Sequence, residues 1–267
     1  MTALMAVLAA VFLGGLGLLV GSFLNVVIHR VPEGASVVRP RSSCPGCGSM
    51  ISARDNIPVV SWLILRGRCR SCGEPIRARY PLVELATMLL WLLLGWWALA
   101  GPGDPGLLPV LLVVGSAGVA LTVIDLDHHR LPNVIVLPLY PAALVGLIIA
   151  GVSSGSWPWI PALVGAVLWL VVVGLPWLVS GGRGMGFGDV KLAPVLGAVL
   201  GWAAVSAAVT GLLAAFLFGA LVGLAAMIFA GAGRKTALPF GPFLLAGALI
   251  GLLAGPPLAS WYAGVLG

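Results

Sequence analysis

Residues 4–24, 82–100, 107–124, 134–151, 158–179, 190–231 and 241–264 are nearly unbroken apolar runs. A helix needs roughly 20 apolar residues to cross the hydrocarbon core of a bilayer. The run 190–231 is about twice that length, so it reads as a hairpin, with a short first arm and a turn near Gly201-Trp202. The total is about eight spans. Only 8% of the 267 residues are charged and 60% are hydrophobic, against about 25% charged in a soluble domain. Charges this sparse cannot cover a water-facing surface, and the mean hydropathy of +1.13 agrees. The expected fold is an all-α polytopic membrane protein.

Orientation follows from the basic residues, which concentrate in cytoplasmic loops. With the N-terminus outside, the inside loops are 25–81, 125–133, 180–191 and 232–240. All 14 lysines and arginines of the chain fall in these loops. Nine arginines lie in the first, and Arg130, Arg183, Lys191, Arg234 and Lys235 occupy the others. An odd number of spans would break this sorting. The net charge of +6 is therefore read as loop asymmetry, and nucleic acid is not an expected partner. The first span lacks a basic segment before it, so it reads as a retained helix over 1–28, not as a cleaved signal peptide. A cytosolic loop domain over 29–81 and a seven-helix membrane domain over 82–267 complete the expected organisation.

The 29–81 loop holds all four cysteines, as Cys44-Pro-Gly-Cys47 and Cys69-Arg-Ser-Cys72. Two C-x-x-C knuckles at this separation fit a tetrahedral zinc site. Gly48 and Gly73 follow the second cysteine of each knuckle and suit its tight turn. Two disulfides are the competing reading, and a reducing cytosol argues against them. A segment this small has little apolar core, and a metal staple answers that problem. Its arginines suit anionic lipid headgroups, or alternatively a negatively charged part of a substrate.

Ionisable groups at the ends of spans are functional candidates. Asp125 and Asp127 lie in Ile124-Asp-Leu-Asp-His-His-Arg-Leu-Pro-Asn133, and Asp189 lies in Gly184-Met-Gly-Phe-Gly-Asp-Val-Lys-Leu192. Both segments are expected on the same membrane face. Two adjacent carboxylates share a proton, so one can activate water while the other polarises a carbonyl. Gly184, Gly186 and Gly188 would let a substrate strand approach the backbone. The blander reading is that each aspartate caps a helix or pairs with Arg130 or Lys191. Asp127, two positions from Asp125 on a helix, points elsewhere.

Across these residues the chain resembles the type IV prepilin peptidase family. The resemblance runs through Gly21-Ser-Phe-Leu-Asn-Val-Val-Ile-His-Arg-Val-Pro32, the paired knuckles, Asn56-Ile-Pro-Val-Val-Ser-Trp62 and Arg77-Ala-Arg-Tyr-Pro-Leu-Val-Glu84. It continues through Asp125-Leu-Asp with Leu131-Pro-Asn133, Gly186-Phe-Gly-Asp189 with Lys191-Leu192, and Leu238-Pro-Phe-Gly-Pro242. The resemblance implies catalytic aspartates at Asp125 and Asp189, with Asp125 chosen as the one six residues before the Leu-Pro step. Gly186, Gly188, Lys191 and Pro239 would form the supporting loops. The implied substrate is a prepilin or pseudopilin, whose basic leader is removed after a glycine on the cytosolic face of the bacterial inner membrane. Its new N-terminus would then be methylated from S-adenosylmethionine, an activity tied to the part that includes the zinc loop. The resemblance places no residue in a methyl-donor pocket.

Two other function classes compete. A transporter using the aspartates as a proton relay would favour charges near mid-span and inverted repeats. A zinc-bearing scaffold explains Cys44, Cys47, Cys69 and Cys72 but not the Gly-x-Gly-Asp segment.

Overall fold

The computed structural model describes residues 2–182, 185–229 and 239–266. Arg183, Gly184, Arg234, Lys235 and Leu238, all named above, lie outside the described residues. The described chain is helical, and its only strand-like pairings are two isolated antiparallel bridges. The helices are α1 (Ala3–Arg30), α2 (Val60–Ile64), α3 (Arg79–Leu99), α4 (Leu108–His128) and α5 (Asn133–Val136). They continue as α6 (Leu139–Ser154), α7 (Trp159–Val179), α8 (Phe187–Ala203), α9 (Val205–Phe229) and α10 (Gly241–Leu266). Among the described residues, 7 helical stretches are long and apolar enough to cross a membrane, with α5 and α6 forming one of them.

Helix α8 is the short arm expected within 190–231. Its 17 residues rise about 25 Å at 1.5 Å each. The hairpin breaks at Ala204, where φ is −171° and ψ is 143°, and not at Gly201-Trp202. Gly201 instead serves packing: a Cβ there would meet the Pro161 carbonyl of α7.

The chain divides into two compact units, residues 1–101 and 102–267. In the first, α1 packs along α3. Gly17 and Gly21 make this approach possible, since a Cβ at either would lie 2.9 Å from Met88 Cα or 2.6 Å from Glu84 Cα. Helices in lipid gain little from the hydrophobic effect, so small residues four apart let backbones meet. The second unit repeats the device. Gly197 and Gly201 of α8 meet α7, and Gly247, Gly251 and Gly255 of α10 meet α9.

Helix α8 is enclosed, with 11 of its 17 residues buried. Trp169 of α7 is fully buried beside it and satisfies its indole N–H on the Ala208 carbonyl of α9 at 2.9 Å. The helix that carries Asp189 thus has its position set from several sides.

Candidate active site

Asp125 occupies the last turn of α4 and is 4% exposed, whereas Asp127 is exposed. Two residues along a helix turn a side chain by more than half a revolution, which separates them. His129 ends α4 in a left-handed conformation with φ 51°. That reversal brings Leu131 into the interior, where it is 8% exposed. Asp125 Oδ2 accepts the Gly241 N–H at 3.0 Å. Gly241 is the first residue of α10, so the carboxylate sits at the positive end of that helix.

Asp189 lies in the first turn of α8 and is 6% exposed. Its carboxylate folds back over Gly186, whose backbone N–H it accepts. A Cβ at Gly186 would lie 2.8 Å from Asp189 Oδ2. This is one half of a capping box, so the helix-capping role accounts for part of the carboxylate. It does not account for Oδ1, which is buried with no hydrogen-bond partner among the described residues.

The two carboxylates are close enough for their charges to interact. Leu131 lies between the glycines that flank them. A Cβ on Gly188 would be 2.7 Å from Leu131 Cβ, and one on Gly241 would be 3.2 Å from Leu131 Cδ2. Either substitution would push chain atoms beside an aspartate.

Lys191 is engaged elsewhere. Its ammonium donates to Asn133 Oδ1 at 3.0 Å and sits 4.3 Å above the Phe187 ring, which stacks on Trp177. Its carbonyl accepts the Tyr140 hydroxyl at 2.7 Å. These contacts join the loop after Asp125 to the helix bearing Asp189. Pro239 is partly exposed, and the neighbouring Phe240 anchors its segment on Phe216 of α9 at 5.2 Å. Asn133 and Phe187 fall within the Leu131-Pro-Asn133 and Gly186-Phe-Gly-Asp189 motifs, whereas Tyr140 and Trp177 carry no pattern that marks them in the sequence, because each meets the site only through tertiary contact.

In the first unit the cysteine knuckles are two copies of one turn, offset by 25 residues. Cys44 N–H donates to the Ser49 carbonyl and Cys69 N–H to the Glu74 carbonyl, at 2.9 and 2.8 Å. Gly48 and Gly73 take φ of 70° and 74°, a left-handed geometry that glycine adopts at little cost. The four sulfurs lie within 4.8 Å of one another, and Cys44 Sγ is 3.7 Å from Cys72 Sγ. Zinc–sulfur bonds of about 2.3 Å in a tetrahedron put sulfurs about 3.8 Å apart. The four sulfurs form one cluster and not two bonded pairs, which suits a shared metal better than two disulfides.

The thiols also oppose one another. Backbone N–H groups of Cys72 and Ser71 draw the Cys69 thiol down to about 6. The Glu74 N–H pulls Cys72 the same way, but the neighbouring cysteines and burial outweigh it and push Cys72 up to about 12. Four thiolates need a cation between them. Bidentate contacts of 2.6 to 3.0 Å between Arg70 and Asp55 tie the second knuckle to the segment between the pair.

Residues 111–228 match the type IV leader peptidase family, and residues 16–98 match the bacterial peptidase A24 N-terminal domain. A prepilin leader peptidase/N-methyltransferase of Aeromonas hydrophila is 40% identical over 274 residues, which cover 92% of this chain and 90% of the relative. This chain belongs to the type IV leader peptidase family. Relatives of the same name from Klebsiella pneumoniae and Burkholderia pseudomallei strain 1026b are 43% and 39% identical. They cover 71% and 75% of this chain, and 84% and 75% of their own lengths. No solved structure matches the chain. Both aspartates of this leader peptidase lie in the 111–228 match, and all four cysteines lie in the 16–98 match.

Proposed function

We propose that this chain is a membrane aspartyl endopeptidase that removes the leader of type IV prepilins or pseudopilins after glycine and then methylates the new N-terminus. The observation that carries the reading is the pair of buried aspartates, held by different helices and close enough to interact, with Asp189 Oδ1 left without a partner. Buried polar atoms are normally satisfied, and each exception calls for an explanation. A substrate carbonyl or an attacking water would complete this one.

The pair shares one proton. The ionised carboxylate takes a proton from water as the oxygen attacks the scissile carbonyl. The protonated carboxyl donates to the developing oxyanion; on collapse the proton taken from water passes to the leaving amine, and the donated proton returns to its carboxylate, which restores the pair. The backbone N–H groups of Gly241 and Gly186 hold one oxygen of each carboxylate, which fixes the geometry. Glycine at 186 and 188 leaves room for an extended substrate backbone. Asp125 and Asp189 are the catalytic pair, with Gly186, Gly188, Lys191 and Pro239 in support.

The cytosolic face is inferred from the charge sorting, which holds when α8 counts as the eighth span. Its 17 residues fall at the short end of the range for a crossing helix. A basic leader would then meet the aspartates on the cytosolic side of a bacterial inner membrane. The location of the aspartates at helix ends suits a leader cut at the membrane edge better than a proton relay through mid-membrane.

Cys44, Cys47, Cys69 and Cys72 would hold a structural zinc, whose positive charge lets all four thiols ionise and staples the loop. Methyl transfer is assigned to the first unit, which holds the cysteine loop that the family resemblance ties to that activity. S-adenosylmethionine is the methyl-donating substrate.

The test is mass spectrometry of a co-expressed prepilin. The expected product lacks its leader, begins at the residue after a glycine and is one methyl heavier. A product still carrying its leader would refute the peptidase reading. A cut but unmethylated product would refute the second activity.

A further inference from the structure

The first unit contains a buried carboxylate that neither the aspartate pair nor the cysteine cluster uses. Glu84, in the second turn of α3, is 7% exposed. Its Oε2 accepts the Val59 N–H at 2.7 Å, and the Ser22 hydroxyl of α1 also hydrogen-bonds to it. Gly21 brings α1 against Glu84 closely enough for this, and Asn25 of α1 donates to the Tyr80 carbonyl at 3.1 Å one turn below.

What Glu84 grips is a strained turn. Val59 has φ 61° and ψ −49°, and the Val60 N–H donates to the Pro58 carbonyl at 2.6 Å. This is a γ-turn of positive φ, a rare and strained form. A β-branched residue there is an outlier, and such conformations persist only where their surroundings impose them. Pro58 restricts the chain on one side. Ser61, 6% exposed, accepts the Ile57 N–H and donates to the Arg54 carbonyl on the other. The Val59 carbonyl accepts the Leu63 N–H at 3.0 Å, and the carboxylate holds the Val59 N–H.

The turn leads directly to the second knuckle. Helix α2 begins at Val60, and its Trp62 donates to the Ile76 carbonyl at 3.1 Å. The Trp62 ring lies against Gly67, where a Cβ would be 2.9 Å away. Gly67 and Ile76 bracket Cys69 and Cys72, with Ile76 N–H donating to the Gly67 carbonyl at 2.7 Å. A continuous path of named contacts therefore runs from Glu84 through the Val59 turn to the base of the knuckle.

We infer that Glu84 is a positioning residue for methyl transfer: by clamping the Val59 turn it fixes the cysteine loop to the α1–α3 pair. The inference rests on the proposed methylating role of the first unit. Glu84→Gln keeps volume and one acceptor oxygen, so it retains most methylation. Glu84→Ala removes the clamp and lowers the methylated fraction of a co-expressed pilin by about tenfold, the scale set by releasing strain of this class, while cleavage persists. Val59→Gly makes positive φ inexpensive, so Val59→Gly added to Glu84→Ala recovers part of the methylation. A simple cavity at Glu84 would not respond to a change at Val59.

Hydrogen exchange of residues 57–64 in the purified full chain provides a second readout. The expectation is faster exchange in Glu84→Ala, near-normal exchange in Glu84→Gln and slower exchange again in the double variant. Unchanged exchange and methylation in Glu84→Ala would overturn the inference. So would parallel loss of cleavage and methylation that Val59→Gly does not relieve. If the wild-type chain cleaves without methylating, the proposed second activity fails, and the exchange measurement still decides the clamp.

Discussion

Gly188→Ala tests how tightly the two aspartates are held. The added Cβ would lie 2.7 Å from Leu131 Cβ, 3.3 Å from its Cγ and 3.4 Å from its backbone nitrogen. Carbon atoms normally sit about 3.5–4.0 Å apart, so the overlap is about 1 Å. A rotamer change cannot relieve it, because Cβ and the backbone nitrogen move only with the chain. Either α8 or the Leu131 segment must shift. Alanine favours a helix over glycine by about 1 kcal/mol, which offsets much of an overpacking cost of about 1–3 kcal/mol. The protein should therefore still fold and insert. The effect falls on the chemistry, where a displacement of about 1 Å costs on the order of 10²-fold. The assay is the rate of leader removal from a purified prepilin in detergent or liposomes, with equal amounts of folded enzyme. The loss should appear mainly in kcat. Adding Leu131→Gly removes the atom that is struck and should recover part of the rate. A wild-type rate for Gly188→Ala would refute the claim that Leu131 packing sets the aspartate spacing.

Cys69→Ser should reduce bound zinc, measured by metal analysis, from one per chain and expose the loop to protease, with methylation falling more than cleavage. Asp127→Ala, exposed and off the site, should keep leader cleavage within about threefold of wild type, in line with an ordinary surface substitution. Lys191→Met removes the 3.0 Å bond to Asn133; cleavage should fall by about tenfold, the scale of one hydrogen bond to a charged group, and Lys191→Arg should lose less. Gly21→Val would drive a side chain into the α3 backbone at Glu84, so the first unit should be lost from the membrane fraction or become protease-sensitive.

Seven of the roughly eight expected spans are legible, because lipid leaves a chain few alternatives; the aspartates and cysteines stand out because their residue types are rare in such a chain. What sequence reading could not supply was the use of each glycine. Gly201 looked like a turn residue and is a packing residue, whereas the hairpin breaks at Ala204. Both roles arise from the missing side chain, and only the neighbour distinguishes them. The site shows the same limit. Gly241 N–H on Asp125 and Leu131 against Gly188 join segments far apart in the chain. No periodicity records such pairings. The Val59 turn was hidden further, since valine is a residue that argues against positive φ.

In the proposed mechanism Asp125 and Asp189 act as one catalytic pair, and Asp127 takes no part in it. The direct measurement is the leader-cleavage rate of purified Asp125→Asn, Asp189→Asn and Asp127→Asn on the same prepilin. Asparagine keeps size and hydrogen bonding but cannot exchange the proton. The first two should fall to background while each still binds substrate, and Asp127→Asn should stay near wild type. Substantial cleavage by either Asp125→Asn or Asp189→Asn would contradict the mechanism.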